Sequence, residues 1–180
     1  MSNKALIVID VQHSFRHSDY WSETDLPIYL KNQQTLIDGC VQQGIPVIQV
    51  FHVEEQGHFS MASGNVKTLD ELSINPDLVI HKRVHSALAG TPLAAWLRAR
   101  NINSLIISGI RTEQCCETTT RQASDTGFTV DFVSEATLTF AMTHARSGRT
   151  FSPAEIRERT ELVLEDRFAR IVTVAQALAG

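Results

Sequence analysis

The sequence predicts an α/β fold of the doubly wound, three-layer kind, built on a mostly parallel six-stranded sheet in the common order 3-2-1-4-5-6. Three observations predict it. Short Ile- and Val-rich runs recur along the chain, and such runs fit strands buried on both faces. Segments of helical spacing separate these runs, so strand and helix alternate from end to end, the pattern of a parallel sheet with helices on both sides. No internal repeat, low-complexity tract or linker interrupts the alternation, and residues 1–180 read as a single domain.

The elements follow in order. "ALIVID" at 5–10 is the first strand. A helix over 27–44 places Leu30, Leu36, Ile37, Cys40 and Val41 near helical spacing and stops at Gly44. "IPVIQVFHV" at 45–53 is the second strand; residues 54–76 are polar and irregular, a long surface loop with some helix. "DLVIHK" at 77–82 is the third strand. A helix over 91–101 has Thr91 at its cap and Pro92 in its first turn. "NSLIISG" at 103–109 is the fourth strand, followed by a helix over 113–126 that ends at Gly127. "FTVDFVS" at 128–134 is the fifth strand. The helix over 152–168 opens with a Ser-x-x-Glu capping box and a Pro at its first position. "ARIVTV" at 169–174 is the sixth strand, with a short final helix behind it.

Composition narrows the function. Hydrophobic residues make up 43% and charged residues 20% of the chain, with a formal net charge of −4, an ordinary globular profile. The basic residues are scattered, so neither nucleic acid nor an anionic membrane is an expected partner. No run approaches the roughly 18 apolar residues of a membrane span, and the N-terminus lacks the apolar stretch of a signal peptide. Three cysteines, an odd number, argue against a closed disulfide framework and for a reducing, cytoplasmic compartment.

The polar residues concentrate at strand ends. In open α/β sheets ligands bind outside the carboxyl ends of the strands, where the strand order switches. Asp10 closes the first strand and Cys115 lies just past the fourth, entering a helix, so the two face one another across that crevice. Lys82 ends the third strand, a lateral offset of roughly 10 Å from the first. A helix N-terminus and a nearby Lys favour a thiolate and lower its pKa, and free N–H groups there suit an oxyanion. With Asp10 as base and Lys82 as cation, the set has the logic of an activated nucleophile. Each residue also has a plainer reading: Cys115 as a small buried hydrophobe, Asp10 as a turn cap, Lys82 as a solvated strand end. Cys116, about 100° around the helix, and Cys40 belong in the core. After the first strand the chain reads "DVQHSF" rather than a glycine-rich turn, so no nucleotide or flavin cofactor is expected.

Three motifs in order give the chain a resemblance to the isochorismatase-like cysteine hydrolases, a family that includes nicotinamidases and N-carbamoylsarcosine amidohydrolases. "LIVIDVQHSF" resembles the D-x-Q-x-x-F opening, with Asp10, Gln12 and Phe15 in place. "HKRVHSALAGTPLAAWL" resembles K-x-x-x-S-A-F-x-G-T-x-L, with Leu88 where Phe is usual. "SGIRTEQCCETTTRQASDTGF" resembles G-V-x-T-x-x-C-V-x-x-T-x-x-x-A, with Cys116 in an aliphatic position. The resemblance implies a triad of Asp10, Lys82 and Cys115, and a non-proline cis peptide at Ile110–Arg111. It also implies an oxyanion hole from the backbone N–H groups of Arg111 and Cys115.

Phe15, His85 and Arg111 are the candidates for lining a substrate pocket. Arg111 stands where small residues are common, and it either enters the pocket to select an anionic or carbonyl-rich substrate or points to solvent. Nicotinamidases hold a metal through Asp-x-His-x5-His; here His52 and His58 are in place but Val50 replaces the Asp, so no metal is expected. His13, His17, His81, His85 and His144 follow no metal-ligand spacing, and surface or supporting roles are expected of all five, although His85 lies beside the Lys82 block. The implied activity is hydrolysis of a C–N bond in a small molecule through a thioester-type intermediate. A catalytically silent binding or scaffold protein and a vinyl ether hydrolase are the alternatives; family members of the latter kind can dispense with the cysteine. Residues 54–76 and 137–151 are expected to close over the pocket, and a homo-oligomer, dimer or tetramer, is implied.

Overall fold

Alternation along each strand decides which layer every side chain joins. In the computed structural model, which describes residues 3–179, β1 spans Lys4–Ile9 and sends Ala5, Ile7 and Ile9 into one core and Leu6 and Val8 into another. This is the period-2 geometry of a strand covered on both faces. The first core is closed by Leu93 and Leu97 of α2 (Leu93–Ala99), Ala123 of α3 (Glu117–Asp125) and Leu164 of α4 (Pro153–Leu164). The second is closed by Leu26, Tyr29, Leu36, Ile37 and Cys40 of α1 (Leu26–Gln42) and by Val174 and Ala177 of α5 (Val174–Leu178). Helices therefore cover both faces of the sheet.

The sheet contains β1, β2 (Val47–His52), β3 (Leu78–Lys82), β4 (Ser104–Ile110), β5 (Thr129–Leu138) and β8 (Arg170–Ile171), in the order β3-β2-β1-β4-β5-β8. Counting only its own strands, that is the expected 3-2-1-4-5-6, and every pairing in it is parallel. A small antiparallel hairpin of β6 (Met142–Thr143) and β7 (Thr150–Phe151) stands apart from the sheet. Residues 1, 2 and 180 of the expected domain lie outside the described residues. Among the described residues, no helix is long and apolar enough to cross a membrane.

Boundaries differ from expectation where polar residues are buried or local bonds compete. The fifth strand was expected to stop at 134, yet β5 runs on to Leu138, because Thr137 is buried and donates its hydroxyl to the Ser134 carbonyl at 2.8 Å. The helix expected over 113–126 opens as a π-helical turn, Thr112–Cys116, before α3 begins. α4 opens with the expected capping box, Ser152 and Glu155 bonding reciprocally, but ends at Leu164. The chain then turns through Asp166, at a φ of 57°, which shortens the last strand to two residues. In α2 the N-cap is Pro92, and Thr91 Oγ1 accepts from the Leu93 amide at 3.3 Å.

Candidate active site

β1 ends in a sharp turn. Asp10 takes a φ of 53°, a left-handed conformation that Asp tolerates better than most residues. Its amide still donates to the Val50 carbonyl at 2.8 Å, which holds the turn against β2. Next door, β4 changes register against β5 between Ile107 and Gly109. Gly109 has a φ of 131°, and a Cβ there would lie 2.0 Å from the Ile9 carbonyl oxygen. Only glycine lets the end of β4 approach β1 this closely. Together the two irregularities bring the segment bearing Cys115 against Asp10.

Lys82, the last residue of β3, completes the group. Its Nζ lies 2.8 Å from Asp10 Oδ2, 3.3 Å from Cys115 Sγ and 3.3 Å from His52 Nδ1. An ammonium has three protons and no acceptor, so carboxylate, sulfur and imidazole occupy its full capacity. Because Lys82 can only donate, His52 Nδ1 carries the lone pair and Nε2 the proton, facing Glu54 Oε1 at 3.5 Å. Burial, and next the Lys82 charge, lower the His52 pKa against the opposing pull of Asp10 and Glu54, so the ring is neutral near pH 7. Asp10 is fully buried and Lys82 is 1% exposed. Burial raises the Asp10 pKa, and the Lys82 ammonium offsets part of that rise.

At the sulfur, burial opposes the pull toward a thiolate that Lys82 exerts. Burial, and then the neighbouring Asp10 charge, push the Cys115 thiol up to about 12, and Lys82 only partly counters them. The site thus sets a thiol held toward its neutral form beside the buried Asp10–Lys82 pair. Cys115 is 7% exposed, whereas Cys116 and Cys40 are fully enclosed in the cores and all three are free.

The other candidates fall around this group. The Ile110–Arg111 peptide is cis. The exposed His85 places Nδ1 3.8 Å from Cys115 Sγ, and its ring lies parallel to that of His52. Phe15 is buried and meets Phe59 edge-to-face at 5.0 Å; Phe59 in turn packs edge-on to His52. Arg111 does not point to solvent. It is buried, pairs with Glu113 at 3.0 Å and lies 4.6 Å from the centre of the Tyr20 ring. Glu113 takes a further bond from the Thr139 hydroxyl at 2.6 Å, so the arginine's charge is already matched inside the protein.

His52 and His58 do not build a metal site. The His52 lone pair is directed at Lys82, Val50 supplies no carboxylate, and the His58 ring stacks on His17 at 4.3 Å. Among the described residues no group of three His, Cys, Asp or Glu is placed to hold a metal ion.

Sequence reasoning passed over the positioning role of Gln12. Its side chain accepts from the His52 amide at 2.8 Å and donates to the His52 carbonyl at 3.0 Å, clamping the turn after β1 to the end of β2. A Gln two residues past a strand-end Asp was the available signal. The sequence reads His52 as an ordinary strand-end residue rather than a metal ligand and does not reveal its place beside Lys82.

Comparison with known proteins agrees with this geometry. Residues 4–176 match the Isochorismatase domain family. An uncharacterised isochorismatase family protein of Bacillus subtilis, YrdC, is 30% identical over 97% of this chain and 94% of its own length. Nicotinamidase 3 of Arabidopsis thaliana is 32% identical over 76% of this chain and 73% of its own. The crystal structure of a putative isochorismatase from Burkholderia xenovorans superimposes with a TM-score of 0.88 at 30% identity, over 98% of this chain and 86% of that one.

Proposed function

The chain belongs to the isochorismatase family of hydrolases, and from that premise we propose that it cleaves a C–N bond, such as an amide, in a small molecule, with Cys115 as nucleophile. One observation carries the reading: Lys82 Nζ bridges a buried carboxylate at 2.8 Å and a cysteine sulfur at 3.3 Å. In that arrangement Asp10 takes the thiol proton and Lys82 holds both the carboxylate and the developing thiolate. The sulfur attacks the carbonyl carbon, and the backbone N–H groups of Arg111 and Cys115 receive the oxyanion. Departure of the amine leaves a thioester, which water hydrolyses to free the sulfur. The amidase named among the relatives, a nicotinamidase, supports the choice of bond.

The test is a panel of small amides, ureides and N-carbamoyl compounds, followed by ammonia release. At least one is hydrolysed, and Cys115→Ala lowers that rate by about 10³-fold or more while the circular dichroism spectrum is unchanged. Hydrolysis that survives the substitution overturns the reading.

A further inference from the structure

We propose that His85 is a catalytic proton carrier of the Cys115 centre, giving the leaving nitrogen its proton and taking one from the attacking water. This rests on the nucleophilic reading of Cys115 and extends it. The sulfur has two unlike flanks. Asp10 and Lys82 meet it from the interior and are closed to solvent. His85 meets it with Nδ1 at 3.8 Å and is itself exposed. Its ring stands parallel to His52, the planes 7° apart and the centres at 6.3 Å.

The chemistry can use a second proton donor on that flank. An amine leaves a tetrahedral intermediate only once its nitrogen is protonated. The proton removed from the thiol resides on Asp10, which has no exposed surface and lies against the Lys82 ammonium. Imidazole changes its charge near neutral pH, and an exposed one exchanges protons with water between turnovers. In acylation the S–H bond breaks and its proton passes to Asp10 while the S–C bond forms. As the C–N bond breaks, its electron pair stays on nitrogen, which takes the proton of the His85 imidazolium. In deacylation water adds to the thioester carbon and gives its proton to the now neutral His85. The sulfur leaves as thiolate and recovers the proton from Asp10. Every group returns to its starting state.

Two probes with the same acyl group separate this role from a structural one. p-Nitrophenyl acetate expels a phenolate that needs no proton, whereas p-nitroacetanilide expels an aniline that does. With the full-length protein in excess over probe, only acylation is read, as release of p-nitrophenolate or p-nitroaniline. His85→Ala and His85→Gln are expected to keep the ester rate within about threefold and to lower the anilide rate by about 100-fold. Added imidazole is expected to restore at least about tenfold of that loss in His85→Ala. An unchanged anilide rate overturns the proposal. So does a parallel loss on both probes without imidazole rescue, or an unsubstituted protein that takes acetyl from the ester but not from the anilide. Ester cleavage that persists in Cys115→Ala instead overturns the nucleophile itself, and that outcome is distinct from the others.

Discussion

Lys82 and Asp10 are worth more together than apart. Both are buried, and each is the other's counter-charge at 2.8 Å. Asp10→Asn leaves an ammonium in the interior with no anion beside it, at a cost of about 3–5 kcal/mol. Lys82→Met leaves a carboxylate that burial already drives toward its neutral form. The double substitution Asp10→Asn/Lys82→Met removes both charges. Urea unfolding is therefore expected to show it less destabilised than the sum of the two single variants. Additive losses would mean the pair is not coupled. At this scale the sequence disclosed residue types and strand ends but not side-chain reach. That Lys82 reaches past β2 to meet Asp10 depends on a four-carbon stem and sheet twist, neither of which a motif records. The effect of burial on the thiol was out of reach for a related reason. A helix start and a nearby Lys are visible in the chain, whereas the burial that pushes Cys115 up to about 12 exists only after folding.

Among the elements, the end of β4 decides whether a site forms. The register change at Ile107–Gly109 and the positive φ of Gly109 let β4 close on Ile9. Gly109→Ala would force a methyl against the Ile9 carbonyl in a backbone region that L side chains rarely adopt. The expected loss is at least about 3 kcal/mol in thermal or urea unfolding, with activity falling in step as β4 moves from Asp10. A variant of parental stability would show that the close approach is not required. The strands were legible because short runs rich in Ile, Val and Leu recur between helical segments, and the start of α4 because Ser152, Pro153 and Glu155 spell a cap. Three features were not legible. The extension of β5 depends on buried hydroxyls finding partners, as Thr137 does with Thr112 at 2.7 Å. The β6–β7 hairpin has strands of two residues, too short for a periodic signal. The π-helical turn before α3 has no sequence pattern of its own.

Across the whole molecule, two cores on opposite faces of one sheet enclose thiols that burial holds toward the neutral form. Burial pushes Cys40, in the core beneath α1, and Cys115 each up to about 12 from an ordinary 9.0. A group whose pKa is raised by folding contributes stability that is complete below its unfolded value and lost as pH climbs to its folded one. Stability is therefore expected to hold up to about pH 9 and to fall toward pH 12, by about 1.4 kcal/mol per pH unit for each thiol. Cys40→Ala removes one such contribution and flattens the slope, as read by urea unfolding at stepped pH. An unchanged slope would show that Cys40 does not titrate with unfolding. The proposed chemistry draws on the same burial, because it starts from an enclosed thiol whose proton passes to Asp10. The most direct test is to quench the protein in acid during turnover of its best amide and locate the acyl group by peptide mass spectrometry. The account predicts acyl mass on Cys115, absent from Cys116 and Cys40 and lost on treatment with hydroxylamine. Turnover with no acyl group on Cys115 would contradict it.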